Sequence, residues 1–195
     1  VPNHVYSSNY NKLMIVDKCQ VFPIEFVVRS YMTGSTQTSI WQNYLKGSRN
    51  YCGHKLRDGY KKNDKLDEIL LTPTTKSDVH DELISEEEIL QQGIMSREHW
   101  NQCKEYAMKL FKYGQELSDK RGLILVDTKY EFGLDKNNNV LLIDEVHTPD
   151  SSRFWFKHSY EERTRNNLEP ENIDKDIIRK WVKKNYKDPY NTDNI

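Results

Sequence analysis

One stretch constrains the fold of this chain more than any other: VDTKYEFGLDKNNNVLLIDE, from Val126 to Glu145. In its first half, apolar and charged residues alternate, which predicts a strand with two different faces. Asn137 and Asn138 tolerate positive φ, so they predict a tight two-residue turn and an antiparallel return strand. A hairpin of this kind buries one face, so we expect it to belong to an antiparallel sheet.

The charged face of this hairpin carries Asp127, Lys129 and Glu131. A two-residue turn places Asp144 directly opposite Glu131, and two facing carboxylates cost stability. They are sensible if a divalent cation lies between them, because Mg²⁺ takes oxygen ligands and is often completed by phosphate oxygens. The alternative is a solvated charged face, and a three-residue turn would move Asp144 out of line. Glu131 and Asp144 are thus the candidate metal ligands.

Strands and helices alternate irregularly along the rest of the chain, which is typical of an α+β protein with an antiparallel sheet and flanking helices. Apolar runs predict strands at Leu13 to Val16 and Ile24 to Val28. Helical spacing with capping residues predicts helices after Gly34-Ser35, after Ser85, from Ser96 to Gly122 and from about Lys175 to Tyr186. In the last helix we expect four apolar residues to be buried: Ile177, Ile178, Trp181 and Val182.

Composition excludes several function classes. Of 195 residues, 36% are hydrophobic and 30% charged, which indicates a globular protein rather than a disordered one. The net charge of −1 gives no global field that would draw the chain to nucleic acid or to an anionic membrane. No apolar run is long enough to span a bilayer and no secretory leader is visible. Three widely spaced cysteines predict a reducing compartment, and hence the cytoplasm.

Two segments predict anion sites. Arg29 ends a strand, and the Gly34-Ser35 turn is expected to open a helix whose free N–H groups favour an anion. In TPDSSRFW, a proline turn with two hydroxyls and Arg153 predicts a second anion-binding concavity. Each segment also has a plain structural interpretation, with Ser35 as a helix cap and Arg153 as an exposed arginine beside a turn.

A third segment is the polar loop TPTTKSDVHDE, which contains Lys76, Asp78, His80 and Asp81. Its mixed charges around one histidine fit either a catalytic lid or a simple polar connection. Taken together, the cationic anion clamps, a carboxylate pair for Mg²⁺ and a closing loop are the equipment of phosphate chemistry.

Four segments of the sequence resemble segments of one protein family, and they occur in the same order as in that family. FPIEFVVRSYMTGS and LVDTKYEFG are similar to the two signature segments of SAICAR synthetase, the phosphoribosylaminoimidazole-succinocarboxamide synthase family. LLTPTTKSDVHDE and LIDEVHTPDSSRFW resemble the same family. The similarity runs from about Val21 to the last helix, and four ordered motifs are far more specific than one. The resemblance implies the SAICAR synthetase-like ATP-binding fold.

The resemblance implies a ligase of purine biosynthesis. Members of the family join L-aspartate to carboxyaminoimidazole ribonucleotide with Mg²⁺ and ATP, giving SAICAR, ADP and phosphate through an acyl phosphate. Carried onto this sequence, the catalytic residues are Asp127, Lys129 and Glu131, and the metal ligands are Glu131 and Asp144. The implied substrate-binding residues are Arg29, Ser35, Arg153, Lys76, His80 and Asp81. The implied nucleotide-binding residues are Lys18, Cys19, Val21 and Asp144.

The family begins with a small β-rich lobe that covers the ATP phosphates, and no part of this sequence matches that lobe. We therefore expect residues 1–22 to be the end of the lobe and a hinge, and residues 23–195 to be the substrate- and ATP-binding domain. The alternative function is that of a non-catalytic relative or fragment that binds nucleotide or ribonucleotide only. The expected partners are small molecules, without nucleic acid or membrane, and homo-oligomerisation stays open.

Overall fold

The computed structural model describes residues 1–10, 13–76 and 81–186, and it has the α+β architecture that the sequence predicts. Its strands are β1 (Val5–Tyr10), β2 (Leu13–Val16), β3 (Gln20–Val21), β4 (Ile24–Tyr31), β5 (Asn50–Tyr51), β6 (His54–Lys55), β7 (Lys65–Leu71), β8 (Thr74–Thr75), β9 (Leu123–Tyr130), β10 (Phe132–Leu134), β11 (Val140–Leu142) and β12 (Ser152–Phe156). Its helices are α1 (Ile40–Leu45), α2 (Glu86–Gln91), α3 (Arg97–Asp119), α4 (Lys157–Arg165) and α5 (Asp176–Asn185). Within the described ranges, no helix is both long enough and apolar enough to cross a membrane.

The central sheet is antiparallel and has the strand order β12-β9-β4-β7, with β8 pairing to β4. In its middle, Arg29 of β4 pairs with Asp127 of β9, and Asp127 pairs in turn with Arg153 of β12. Because side chains directly opposite in neighbouring strands point to the same face, this register brings three charged residues side by side. The sheet thereby builds a charged row out of segments that lie far apart in the sequence.

The main core lies between this sheet and the long helix α3. The helix begins at the predicted cap, Ser96, whose hydroxyl accepts a hydrogen bond from the His99 N–H. Trp100 stacks on Phe26 of β4 with ring centroids 5.3 Å apart, and Phe26 meets Phe132 edge to face at 5.2 Å. Aromatic pairs in these geometries add to the stability from area burial alone. The same packing holds one face of β4 and β9 against the helix and leaves the other face for the charged row.

The predicted hairpin forms, but its register differs from the expected one by one residue. Phe132 pairs with Leu142, and the Ile143 N–H donates to the Glu131 carbonyl, so Asp144 is not directly opposite Glu131. The cause is a three-residue turn: the Asp135 N–H bonds to the Asn139 carbonyl, and Asn138 takes the positive φ of +61°. A turn closed by a left-handed third residue is a common alternative to the two-residue type.

The predicted helix after Gly34-Ser35 begins later than expected. Helix α1 starts at Ile40, and its cap is Ser39, whose hydroxyl accepts from the Gln42 N–H. Gly34 instead turns the chain at φ +110°, where an added Cβ would lie 2.4 Å from the Ser39 Cβ. The proposed anion site at a helix N-terminus beside Ser35 is therefore wrong, because Ser35 lies in a loop that precedes the helix.

The last predicted helix is present as α5, but its apolar side is not buried as expected. Ile177, Ile178 and Trp181 are 50%, 66% and 54% exposed, and Val182 is only half-buried. Helical periodicity shows that a helix has an apolar face but not what covers that face. The segment around Arg153 also differs from the expected turn, because Ser152–Phe156 forms strand β12.

A buried contact fixes the loop that follows the hairpin, residues 143–151. His147 has a left-handed backbone with φ +53°, and its Nε2 lies 2.6 Å from the Tyr130 hydroxyl. Its imidazole rests on Gly114 of α3, where an added Cβ would lie 2.3 Å from the His147 Cε1. Because Tyr130 lies between Lys129 and Glu131 in sequence, the contact ties the loop that carries Asp144 to the charged hairpin.

Gly114→Ala should destabilise the protein by about 1–3 kcal/mol, because the new methyl group overpacks the imidazole of His147. The direction of the change in stability is informative, because replacing Gly by Ala in a helix interior otherwise stabilises a protein by about 1 kcal/mol. Chemical denaturation measures the free energy of unfolding. Lys112→Ala, at an exposed position of the same helix, is the control and should change it by less than about 0.5 kcal/mol. A stabilised Gly114→Ala variant would contradict this packing.

The imidazole of His147 should also make stability depend on pH. Burial lowers its pKa from the ordinary value of 6.5 to about 4. Between these values the unfolded chain binds a proton that the folded chain does not, so the free energy of unfolding should fall as the pH falls from about 6.5 towards 4. Denaturation at several pH values, compared with His147→Asn, measures this contribution, and the exposed His158→Asn is the surface control. A pH-independent difference between wild type and His147→Asn would disprove the effect.

Candidate functional site

The floor of the central cleft is the charged face of β4, β9 and β12. The lining side chains that matter below are Glu25, Arg29, Asp127, Lys129, Arg153 and Arg179. In the middle, Asp127 is flanked by two arginines: its Oδ2 lies 2.5 Å from Arg153 Nη1 and 3.4 Å from Arg29 Nη1. A buried charge is tolerated only with partners of opposite sign, and here one carboxylate serves two cations. The triad keeps a net positive charge, so it is suited to an anion.

Arg29 is held rigidly. Only 8% of it is exposed, its Nε donates to Thr72 Oγ1 at 2.8 Å, and its guanidinium carbon lies 5.9 Å from the centre of the Tyr51 ring. The Tyr51 hydroxyl donates to the Thr38 carbonyl at 2.5 Å, in the loop before α1. Burial of the phenol raises the pKa of Tyr51 to about 12, so this hydroxyl stays a donor. Arg29 is therefore oriented in advance of any ligand.

Next to this triad, Lys129 is the centre of a second charged cluster. Its Nζ lies 2.7 Å from Glu131 Oε1, 3.0 Å from Asp144 Oδ2 and 3.3 Å from Glu25 Oε1. The other carboxylate oxygen of Glu131, Oε2, lies 2.5 Å from Lys76 Nζ. Despite the shifted hairpin register, the structure thus brings together Glu131 and Asp144, with a lysine between them instead of a direct cross-strand contact.

The electrostatics of this cluster favour the charged forms of Lys129 and Asp144. Burial lowers the pKa of Lys129, but hydrogen bonds to Glu131 and Asp144 and the nearby charge of Glu25 outweigh it, so the pKa lies above its usual range. Burial raises the pKa of Asp144, whereas the backbone N–H of Glu145 and the Lys129 ammonium lower it, and the net shift is downward. The ammonium and the carboxylate are both charged near neutral pH.

The donor set of this cluster fits a divalent cation that also binds phosphate. Glu131 and Asp144 already converge on one positive group, the Lys129 ammonium, and both present oxygen ligands. In the described part of the chain, no group of three or more His, Cys, Asp or Glu side chains is arranged to hold a metal ion. Mg²⁺ is usually bound by one or two carboxylates with waters and substrate phosphates, so two carboxylates suffice.

A side cleft adjoins the central cleft, and Arg153 and Arg179 line both. Its other lining residues include Gly34, Ser35, Lys62 and Lys180. Ser35 is exposed there, on the loop that Gly34 turns against Ser39. The structure therefore places Ser35 and Arg153 around one concavity, as a loop site rather than a helix-terminus site.

The segment with Lys18, Cys19 and Val21 lies beside the hairpin. Val21 pairs with Gly133 of β10, and the Phe22 N–H donates to the Phe132 carbonyl at 3.0 Å. Gly133 permits this approach, because a Cβ there would lie 3.0 Å from the Cys19 Cβ. Lys18 and Val21 are exposed and Cys19 is half-buried. The segment is thus one edge of the sheet that also contains the charged hairpin.

The loop from Lys76 to Asp81 is only partly described. Lys76 reaches the cluster through Glu131, and Asp81 lines the central cleft. His80 lies outside the described residues. Thus Asp81 lies at the central cleft, whereas Lys76 contacts the neighbouring charged cluster.

Several cleft residues were not expected from the sequence. Glu25 and Arg179 line the central cleft, and Tyr51 and Thr72 orient Arg29. Glu25 had a usable signal, because Glu25 and Arg29 are four residues apart in a strand and must share a face. Tyr51, Thr72 and Arg179 had none, since only the folded chain brings their segments together.

Comparison with known proteins agrees with these features. The chain matches the family described as SAICAR synthetase over residues 1–193. It is 54% identical over 183 residues to the chloroplastic phosphoribosylaminoimidazole-succinocarboxamide synthase of Vigna aconitifolia, covering 94% of this chain and 54% of that protein.

Two solved structures are similar as well. The SAICAR synthase of Saccharomyces cerevisiae complexed with SAICAR has a TM-score of 0.73 at 29% identity, covering 95% of this chain and 64% of that one. A type-2 SAICAR synthetase in complex with ADP has a TM-score of 0.69 at 26% identity, covering 92% of this chain and 64% of that one.

The chain spans about half the length of the plant relatives it matches. The similarity nevertheless includes the strands and loops that form both clefts, because it extends over nearly all of this chain. The chain belongs to the SAICAR synthetase family.

Proposed function

We propose that this chain forms the substrate-binding part of an ATP-dependent ligase that joins L-aspartate to carboxyaminoimidazole ribonucleotide, with SAICAR, ADP and phosphate as products. One observation carries the proposal. The Arg29–Asp127–Arg153 triad, suited to an anion, lies beside the Lys129–Glu131–Asp144 cluster, suited to a metal and phosphate, and Lys129 lines the same cleft as the triad. A ligand with a phosphate at one end and a carboxylate at the other would use both.

The proposed reaction needs both the anion-binding triad and the cluster around Lys129. A carboxylate is a poor acceptor for an amine until one of its oxygens becomes a leaving group. Transfer of the γ-phosphoryl group of ATP to that oxygen gives an acyl phosphate, and attack by the amine of aspartate then releases phosphate. Positioned cations stabilise the negative charge that develops in such transfers. Lys129, whose pKa lies above its usual range, contacts both proposed metal ligands, Glu131 and Asp144.

At the other end of the cleft, Arg29, Ser35 and Arg153 are proposed to hold the phosphate of the ribonucleotide. The side cleft places Ser35 and Arg153 around one concavity, and Arg29 reaches Arg153 through Asp127. Arginine is well suited to phosphate because its planar fork donates two parallel hydrogen bonds.

Glu131 and Asp144 are proposed to hold Mg²⁺. When bound there, Mg²⁺ would neutralise the phosphate oxygens of ATP. Lys129 and Lys76 then keep the surrounding carboxylates paired, so the site does not accumulate uncompensated negative charge. From the closing loop, Lys76, Asp81 and His80 are proposed to contact the substrates.

Residues 1–22 are proposed to be the end of an ATP-covering lobe and its hinge, and residues 23–195 the substrate- and ATP-binding domain. Lys18, Cys19 and Val21 would then contact the adenine ring, with Asp144 at the phosphate end. What supports this is the position of the hinge segment, which pairs with β10 of the charged hairpin. The relative solved with ADP is consistent with a nucleotide site in this fold.

A reducing compartment is proposed for the protein, with the cytoplasm as the expected place. Its cysteines are free, with Cys103 buried and Cys19 and Cys52 half-buried. Burial raises the pKa of Cys52 and of Cys103 to about 12, so both stay protonated thiols rather than reactive thiolates.

The test of the ligase is release of ADP with Mg²⁺-ATP, carboxyaminoimidazole ribonucleotide and L-aspartate, with each component omitted in turn. Release that requires every component, together with formation of SAICAR, is the expected result. Binding of the ribonucleotide by calorimetry without any turnover would favour the second candidate, a chain that binds ribonucleotide but does not catalyse.

Glu131→Gln should reduce turnover by at least about 100-fold while the protein stays folded, since the amide keeps the shape but is a poor Mg²⁺ ligand. Steady-state kinetics and thermal unfolding measure the two effects. Glu116→Gln, at an exposed position of α3, is the control and should be indistinguishable from wild type. Wild-type activity in Glu131→Gln would remove this residue from the metal site.

Arg29→Ala should weaken binding of the ribonucleotide by about 10- to 100-fold and leave ATP affinity unchanged, because a charge-assisted contact is lost. Arg57→Ala is a matched control, since Arg57 also pairs with an aspartate, Asp67, and lies 3.9 Å over a tyrosine ring, Tyr60. It lies outside the lining of both clefts. Calorimetry with each ligand separates the two affinities, and equal loss of both would assign Arg29 a purely structural role.

A further inference from the structure

Glu25 is a carboxylate on the floor of the central cleft that the proposed reaction does not yet use. It lies on β4 two residues before Val27, which pairs with Lys129, and four before Arg29. Residues at this spacing in a strand share one face. Its side chain is only 17% exposed, and it lines the cleft beside Lys129. A carboxylate in such a place needs hydrogen-bond donors.

The two hydrogen-bond donors that contact Glu25 are both far from its oxygens. Lys129 Nζ is 3.3 Å from Oε1, and the Thr74 hydroxyl donates to Oε2 at 3.4 Å. Lys129 is nearer to two other carboxylates, at 2.7 and 3.0 Å. An ionised carboxylate has about four acceptor positions, so Glu25 retains acceptor capacity.

The other carboxylates of the two charged clusters have shorter bonds. The nearest arginine nitrogen lies 2.5 Å from Asp127, and two lysine nitrogens lie 2.5 and 2.7 Å from Glu131. The Lys129 nitrogen lies 3.0 Å from Asp144. Among these four, Glu25 is the carboxylate whose nearest donor is farthest away, at 3.3 Å. It is therefore the carboxylate that a ligand N–H group would satisfy most readily.

We propose that Glu25 is a substrate-contacting residue that accepts a hydrogen bond from an amino group in the cleft. This inference rests on the proposed function, whose substrates offer two such groups: the ring amine of the aminoimidazole, next to the reacting carboxylate, and the amine of aspartate. Both are N–H donors that a carboxylate recognises, and both must lie close to the group that Lys129 contacts. Glu25 would thus orient an amine relative to the carboxylate that Lys129 holds.

The test compares two ribonucleotides, imidazole carboxamide ribonucleotide with and without the ring amino group, by calorimetry on wild type and Glu25→Ala. If the ring amine is the ligand, wild type prefers the amino compound, and Glu25→Ala loses that preference, by about 10-fold or more. Glu25→Gln, which preserves the shape and a carbonyl acceptor, should retain part of it and serves if the alanine variant does not fold. Glu105→Ala, a glutamate paired with Lys109 on the surface of α3, is the control.

The second arm is the KM for aspartate at saturating ribonucleotide. A KM raised about 10-fold or more in Glu25→Ala, with the ribonucleotide preference intact, would assign the amine of aspartate as the ligand and support the same chemistry. If neither quantity changes and only the Tm falls, Glu25 is a structural partner of Lys129 and the inference is overturned. If wild type binds neither ribonucleotide, the proposed function itself fails and the inference fails with it.

Discussion

The structure of the site depends on one ion triad, in which Asp127 separates Arg29 from Arg153. The three side chains come from three neighbouring strands in register, so the pairing of β4, β9 and β12 and the charge balance of the triad require each other. Two guanidinium groups this close would repel without the carboxylate between them. A one-residue slip of either strand would turn one of the three to the opposite face. The antiparallel register is therefore also the geometry of the proposed anion site.

The second cluster follows from the first, because Lys129 is two residues after Asp127 on the same face of β9. Its carboxylate partners come from β4, from the end of β9 and from the loop after β11, and that loop is held by the contact of His147 with Tyr130 and Gly114. Buried polar contacts of this kind orient the residues that meet a ligand. The imidazole of His147 packs against the long helix α3. Through this contact the hydrophobic core helps to hold the loop that carries Asp144.

Much of the local structure was predictable from short-range chemistry. The capping box of Ser85 and Glu88, the Ser96 cap of α3, the strand at Leu13–Val16 and the hairpin itself follow from residues close in sequence. The predictions that failed depended on details that residues close in sequence do not determine. The hairpin register depended on whether both asparagines took positive φ, as a two-residue turn of this type requires, or Asn138 alone, as observed. The exposure of Ile178 and Trp181 was not predictable, because periodicity does not identify the surface that a helix face meets.

The sequence by itself determined the α+β class, the charged hairpin, and the charged residues that form the triad and the cluster around Lys129 apart from Glu25, because alternation and residue type assign side chains to faces. It also carried the family resemblance, through four motifs in order. Only the tertiary structure decided which charges pair: that Asp127 is shared by two arginines, that Lys129 lies between Glu131 and Asp144, and that the nearest donor to Glu25 is 3.3 Å away. The physical reason is distance along the chain. These partners lie up to 104 residues apart, and strand pairing across the sheet brings them within hydrogen-bonding range.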